Sequence, residues 1–141
     1  MDYLMDRAVF QAQLEMLDLM MEWIRTHVDS MGFSPVDGKK IQLAMEEALV
    51  NVICHAYKNG KGAVELICNE YPKQRILFTI MDKGPSFNPL LQSSKVPLDS
   101  PLEEREEGGL GIFFIRQLMD EVHYERQHPY NILTLVKILI L

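Results

Sequence analysis

The sequence predicts an α+β protein, a two-layer α/β sandwich with helices on one face of a mostly antiparallel, mixed sheet. Two long segments carry apolar residues at spacings of three and four, which is typical of helices. Four shorter segments are apolar or alternating and are bounded by turn residues, which favours strands. The strand–helix–strand pattern of a parallel sheet is absent, and we expect the 141 residues, 1–141, to form a single domain.

The first half of the chain contains two predicted helices. AVFQAQ, near the start, is consistent with a short edge strand. From Leu14 the apolar positions follow helical spacing, and we expect this helix to end near Gly32. Ser34 is the expected N-cap of a second helix, with Pro35 in its first turn, and that helix is predicted to reach about Tyr57.

The second half is predicted to supply four strands and one helix. AVELICNE and RILFTIMD, separated by YPKQ, are expected to pair in an antiparallel manner. From Lys83 to Gly109 regular periodicity disappears among four prolines, and so long a connection suggests a functional loop or lid. GLGIFFIRQLMD restores helical spacing, and EVHYERQ and NILTLVKILIL are predicted to form a last hairpin through HPYN.

Composition and charge narrow the class of function. The net charge of −6 argues against direct nucleic-acid binding, which needs clustered Lys and Arg, but it does not exclude a nucleotide. The two cysteines lie in no CxxC or Cys/His cluster, which indicates a reduced cytosolic protein and no cysteine metal site. No apolar run is long enough to span a bilayer, so we expect a cytoplasmic protein without membrane contact.

The first motif is MEEALVNVICHAY, in which Glu47 and Asn51 are one helical turn apart and share a face. An ionised Glu47 could accept a proton from an attacking hydroxyl or water, and the Asn51 carbonyl suits Mg²⁺. Glu46 lies about 100° round the helix and is less suited to share that site. The alternative is a solvated helix face, which is the commoner role for such a pair.

The second motif is MDKGPSF, where Asp82 ends an apolar strand and Gly84 permits a tight turn. A carboxylate at this position can accept a hydrogen bond from the amino group of adenine. Guanine offers a carbonyl there and would place two acceptors face to face, so the motif would select ATP over GTP. An Asx-type turn that closes the strand is an equally good interpretation.

The third motif is EGGLGIFFIRQL, in which Gly108, Gly109 and Gly111 are expected to precede a helix. Such a segment can present consecutive N–H groups to phosphates at the positive end of the helix dipole. A flexible loop end is the simpler alternative, and the segment does not match G-x-G-x-x-G.

In this order, the three motifs resemble those of the ATP-binding domain shared by gyrases, histidine kinases and anti-sigma-factor serine kinases, the GHKL or Bergerat fold. EEALVNVICHAY resembles its N box, DKGPSF its first glycine box, and GGLGIFFIRQLMDEVHYER its second. The last two motifs are most similar to the anti-sigma kinase branch. The resemblance extends from about Leu14 to the C-terminus.

The resemblance implies a role for each motif. Glu47 would be the general base, Asn51 the Mg²⁺ ligand, and Asp82 the residue that reads adenine, with Gly84 shaping its turn. Residues 85–108 would form the ATP lid. Further nucleotide contacts would come from Arg105, Gly108, Gly109, Leu110 and Gly111. Arg105 is the only cation in the acidic part of that lid, and pairing with its neighbouring glutamates is at least as good an interpretation.

The resemblance also implies a function. The cofactors would be ATP and Mg²⁺, and the activity that of a serine kinase acting as an anti-sigma regulatory factor. Its partners would be a small STAS-domain anti-anti-sigma protein and a sigma factor or other response regulator, and a homodimer is a possible assembly. Two alternatives stay open: an ATP-binding partner-switch module without kinase activity, and an ATPase fragment related to histidine kinases.

Overall fold

The computed structural model describes residues 4–57, 61–86 and 109–140, with only the backbone of residues 109–112. The helices are α1 (Leu17–Met31), which follows a 3-10 turn at Leu14–Met16, α2 (Pro35–Ala56) and α3 (Gly109–Leu118). The strands are β1 (Leu4–Gln11), β2 (Ala63–Tyr71), β3 (Arg75–Asp82), β4 (Glu121–Gln127) and β5 (Tyr130–Ile138). No helix within these ranges is both long and apolar enough to cross a membrane.

The described strands form one sheet in the order β1-β2-β3-β5-β4, with helices packed against one face. This arrangement confirms the predicted α+β fold class. The prediction allowed for a mixed sheet, but each of the four strand pairings in the described sheet is antiparallel. The first strand also begins at Leu4, earlier than AVFQAQ suggested, because its outer residues lack a clear apolar alternation and are placed by pairing with β2.

The core lies between the helices and one face of the sheet. Alternate residues of the two central strands are fully buried there, as expected for a strand with one covered face. These residues are Val64, Leu66, Cys68, Ile76, Phe78 and Ile80. Burying a large apolar side chain contributes about 1.5–3 kcal/mol. Burial also raises the pKa of the Cys68 thiol above its ordinary value.

The two predicted boundaries between α1 and α2 are confirmed. Gly32 caps the end of α1 with a left-handed φ of 81°, a conformation in which glycine lacks the steric penalty of other residues. Ser34 accepts a hydrogen bond from the Asp37 N–H at 3.1 Å, and Pro35 is the first residue of α2. The cap contributes about 1 kcal/mol and fixes where α2 starts.

The fold brings one end of the central strands under the last turns of α2. Asp82, the last residue of β3, pairs directly with Asn131 at the start of β5. The turn after β3 then contacts the backbone of Ala56, the last residue of α2. Three segments that are distant in the sequence therefore meet at this end of the sheet.

Candidate functional site

A cleft opens between α2 and the paired ends of β3 and β5. Its empty volume is about 350 Å³ when the solvent at its open mouth is counted. Its lining consists of Asn51, Val52, His55, Ala56, Asp82, Pro85, Tyr124, Asn131 and Leu133. The structure therefore brings two of the predicted residues, Asn51 and Asp82, to one cavity, although 31 positions separate them in the sequence.

Asp82 is a buried carboxylate, with 6% of its surface exposed. Its Oδ1 accepts hydrogen bonds from the Gly84 N–H at 2.8 Å and from Asn131 Nδ2 at 3.0 Å. Both contacts use the same oxygen, so Oδ2 is the acceptor that remains for a ligand as far as the described residues are concerned. The predicted Asx-type turn is present, and it leaves room for a second role.

Asn131 holds the turn that follows β3. Its two N–H hydrogens are shared between Asp82, the Pro85 carbonyl at 3.0 Å and, more weakly, the Gly84 carbonyl at 3.3 Å. Its own Oδ1 accepts from the Tyr124 hydroxyl, and Arg126 Nη1 donates to the Gly84 carbonyl at 2.8 Å. The β4–β5 hairpin thus fixes the backbone beside Asp82 and orients the carboxylate.

Gly84 is required by a close approach of two backbones. A Cβ at this position would lie 2.9 Å from the carbonyl carbon and Cα of Ala56, and closer still to the carbonyl oxygen. Backbone atoms cannot move aside as a flexible side chain can. Any side chain at position 84 would therefore push the turn after β3 away from α2 and distort the cleft.

Asn51 is buried in the cleft wall, with 8% of its surface exposed. Its Oδ1 has no hydrogen-bond partner among the described residues, and an unpaired buried oxygen costs about 1–3 kcal/mol. A ligand or cation that accepts this lone pair would remove the cost. An amide oxygen is one of the hard ligands that Mg²⁺ binds, so the side chain fits the predicted metal.

Glu47 lies one turn before Asn51 on α2 and is exposed. It does not line the cleft formed by the described residues. Glu46, beside it, is exposed as well. An exposed carboxylate is accessible to a large substrate, so it could act as general base for a protein hydroxyl more readily than for a buried water.

The glycine-rich segment differs from its prediction. Gly109 and Gly111 were expected before the helix, but α3 begins at Gly109, where the helical spacing of GLGIFFIRQLMD begins, so both lie in its first turn. The first N–H groups of a helix have no intrahelical partner and are suited to bind phosphate. Gly108, Arg105 and the predicted lid, residues 85–108, lie outside the described residues except for Pro85 and Ser86.

The sequence analysis did not identify two residues of the cleft lining, Tyr124 and Asn131, or Arg126, which binds the adjacent turn. Only Asn131 carries a signal in the sequence, because it shares a strand face with the buried Leu133 and Leu135. A polar residue at a core-facing position needs a specific partner. That partner, Asp82, lies 49 positions away, so the pair becomes visible only once the strand register is known.

The fold and cleft define a two-layer α+β domain with a polar cleft at one end of its sheet, and comparison with known proteins specifies its family. Residues 10–137 match the family described as histidine kinase-like ATPase domain. The chain belongs to this family.

Curated relatives include proteins named serine-protein kinase RsbW. One from Bacillus mycoides strain KBAB4 is 32% identical over 106 residues, and one from Bacillus cereus strain AH820 is 33% identical over 106 residues. Each alignment covers 73% of this chain and 66% of the relative, slightly less than two thirds of its length. The predicted resemblance to the anti-sigma kinase branch is confirmed at the level of sequence similarity.

A solved structure shares the fold. The crystal structure of the RsbU and RsbW domains of a Mycobacterium tuberculosis protein matches with a TM-score of 0.60 and 14% identity. The match covers 95% of this chain and 32% of that chain. At this identity the likeness concerns the fold alone.

Proposed function

We propose that this chain is a Mg²⁺-ATP-dependent protein serine kinase that acts as an anti-sigma regulatory factor. The observation that carries the proposal is that one cleft contains the buried carboxylate of Asp82 and an Asn51 oxygen that has no hydrogen-bond partner among the described residues. Relatives named serine-protein kinase support the choice of a protein hydroxyl as acceptor.

Phosphoryl transfer depends mainly on positioning and charge stabilisation. Asp82 Oδ2 would accept a hydrogen bond from the adenine amino group, with Asn131 holding the carboxylate in place. The first N–H groups of α3 would hold phosphate oxygens, and Glu47 would accept the proton of the incoming seryl hydroxyl. Mg²⁺, held by Asn51, would neutralise developing charge on the phosphates when bound.

The proposed acceptor is a small STAS-domain anti-anti-sigma protein, with a sigma factor as the competing partner. A phosphate adds close to two negative charges at neutral pH. Because this chain has a net charge of −6, the phosphorylated partner would be repelled and released. Release of one partner would then leave the chain available to the other, and a homodimer of this chain is part of the same proposal.

A partner-switch module without kinase activity is the second candidate. It is favoured by one observation: Glu47 does not line the described cleft in which Asn51 and Asp82 meet. In that case nucleotide binding alone would control the affinity for the partner.

The test is a pull-down from a lysate of the source cell in the presence of Mg²⁺-ATP. The captured proteins are then analysed for phosphoserine by mass spectrometry. The baits are wild type, Glu47→Gln, and Glu46→Gln as a control that removes the neighbouring exposed carboxylate. We expect a small STAS-domain protein phosphorylated with wild type and Glu46→Gln, and loss of phosphate by at least about 100-fold with Glu47→Gln. A partner captured by all three baits and phosphorylated by none would favour the partner-switch module. Phosphohistidine would point to a histidine-kinase-type activity.

A further inference from the structure

A second polar cluster lies at the opposite end of the sheet from the cleft. It joins α1 to β1 and β2 through His27, whose ring nitrogens face two carboxylates. Nδ1 lies 2.5 Å from Glu70 Oε2, and Nε2 lies 2.8 Å from Asp6 Oδ2. Ser30 donates a hydrogen bond to the other Glu70 oxygen at 2.8 Å. Glu70 and His27 are largely buried, with side-chain exposures of 8% and 14%.

Cys68 completes this cluster. It lies two residues before Glu70 on β2, so both side chains point to the same face of the strand, and it is fully buried. One ligating atom from each of His27, Cys68 and Glu70 lies within 4.8 Å of those of the other two. Tetrahedral Zn²⁺ binds N, O and S at about 2.0–2.3 Å, which places ligand atoms roughly 3.3–3.8 Å apart. Binding would therefore require His27 Nδ1 and Glu70 Oε2, which are 2.5 Å apart here, to separate by about 0.8 Å through side-chain rotation.

We propose that His27 Nδ1, Glu70 Oε2 and Cys68 Sγ bind a Zn²⁺ ion. The combination of imidazole, carboxylate and thiolate matches the ligands that Zn²⁺ prefers, whereas Mg²⁺ and Ca²⁺ take oxygen ligands. This inference is independent of the proposed kinase function. It concerns residues that the cleft does not use, roughly 20 Å along β2 from the position that pairs with Asp82.

The surrounding contacts match the outer shell of a metal site. A histidine that binds metal through one nitrogen usually donates its other N–H to a carboxylate, and Asp6 is placed to accept from Nε2. Ser30 binds Glu70 Oε1, so Oε2, which contacts His27 Nδ1 directly in this structure, is the oxygen that would bind the ion. The Trp23 ring packs edge-on against His27, with centroids 4.7 Å apart, and fixes the plane of the imidazole.

The ion would have a route of entry and a free fourth position. A surface groove reaches the cluster and is lined in part by His27, Ser30, Glu70 and Lys73. A water molecule could take the fourth position from this side. The sequence offers no Cys/His spacing signal for such a site, because the ligands come from α1 and two alternate positions of β2.

Co²⁺ is the probe, because a cobalt–thiolate bond gives a charge-transfer absorption in the near ultraviolet. The chain has only two cysteines, Cys68 and Cys54, and Cys54 is exposed on α2. A band can therefore be assigned to one of them by substitution. The full chain is stripped with a chelator, titrated with Co²⁺ without nucleotide, and then titrated with Zn²⁺ to displace it.

We expect wild type and the control Cys54→Ala to show the band with one Co²⁺ per chain, displaced by one Zn²⁺. Cys68→Ala should lose the band and weaken Zn²⁺ binding by at least about 100-fold, and Asp6→Asn should weaken it by about 10- to 100-fold. Asp6 is half-exposed, so this variant tests the site even if Cys68→Ala fails to fold. Absence of the band in wild type, its loss in Cys54→Ala, or unchanged Zn²⁺ affinity in Asp6→Asn would overturn the proposal.

Discussion

At the scale of single residues, the two carboxylate oxygens of Asp82 have different roles. One is hydrogen-bonded to the protein, and the other is available to a ligand as far as the described residues are concerned. Oδ1 accepts from Gly84 and Asn131, which orients the carboxylate without using its second oxygen. A buried carboxylate that donors hold in this way can discriminate between ligands, because only a donor on the ligand satisfies Oδ2. The same argument applies to Asn51 Oδ1, which has no partner within the described part of the chain and favours a cation or a donor.

Asp82→Asn tests whether Oδ2 accepts a hydrogen bond from the nucleotide while Oδ1 binds the protein. The amide keeps an Oδ1 that can accept from Gly84 and Asn131, but it presents an NH₂ donor to the amino group of adenine. We expect ATP binding to weaken by about 1–3 kcal/mol, or roughly 5- to 150-fold in Kd. Isothermal titration calorimetry with a non-hydrolysable ATP analogue measures this. Asp18→Asn, on the exposed side of α1, is the control, and unchanged affinity in Asp82→Asn would remove Asp82 from the adenine pocket.

At the scale of elements, the turn after β3 is held from two sides. Asn131 and Arg126 donate to its carbonyls from the β4–β5 hairpin, and Ala56 of α2 lies against Gly84. Each contact comes from a different element, so the cleft retains its shape only while the helical layer and the hairpin keep their positions. A change in one backbone contact should therefore affect both stability and binding.

Gly84→Ala tests whether position 84 requires glycine because a side chain would clash with α2. The new methyl group would meet the Ala56 backbone, and we expect a loss of about 1–3 kcal/mol in the free energy of unfolding together with weaker ATP binding. The control is Gly32→Ala, where φ is 81° and a Cβ would meet nothing within 4 Å. That variant should lose about 1–2 kcal/mol of stability by strain alone and keep its affinity. Urea denaturation and calorimetry measure both quantities. Equal ATP affinities of Gly84→Ala and wild type would contradict the role given to the turn.

Local sequence patterns predicted most of the helices and strands. The features that they did not predict depend on contacts between residues distant in the sequence. The central strands were predicted to within a residue because their alternation directly reflects one covered face. The start of β1 was not, since an edge strand takes its bounds from backbone pairing with β2. Asn51 and Asp82 were recognised by motif, whereas Arg126 and Asn131 depend on a strand register that the sequence does not specify.

At the scale of the whole molecule, the two polar sites lie at opposite ends of one sheet. The cleft joins α2 to β3 and β5, and the His27 cluster joins α1 to β1 and β2. A ligand that binds only the folded state stabilises the whole chain, whichever elements it contacts. Because the sites share no residues and lie far apart, the stabilisation by a nucleotide and by Zn²⁺ should be nearly additive.

Thermal unfolding in the presence of nucleotides tests whether the cleft binds ATP, because a bound ligand raises the stability of the folded chain. At a concentration 100 times its Kd, Mg²⁺-ATP should add about 2.7 kcal/mol of stability and raise the Tm by roughly 10 °C. Mg²⁺-GTP at the same concentration should raise the Tm much less, because the guanine carbonyl would face the acceptor oxygen of Asp82.

Asn51→Ala tests the metal ligand. In this variant, the Tm shift with ATP should be the same with and without Mg²⁺, since the variant lacks the proposed ligand. Differential scanning calorimetry measures all of these shifts. Equal shifts with ATP and GTP would show that Asp82 does not read the base, and a Mg²⁺ effect that persists in Asn51→Ala would assign the metal to another residue.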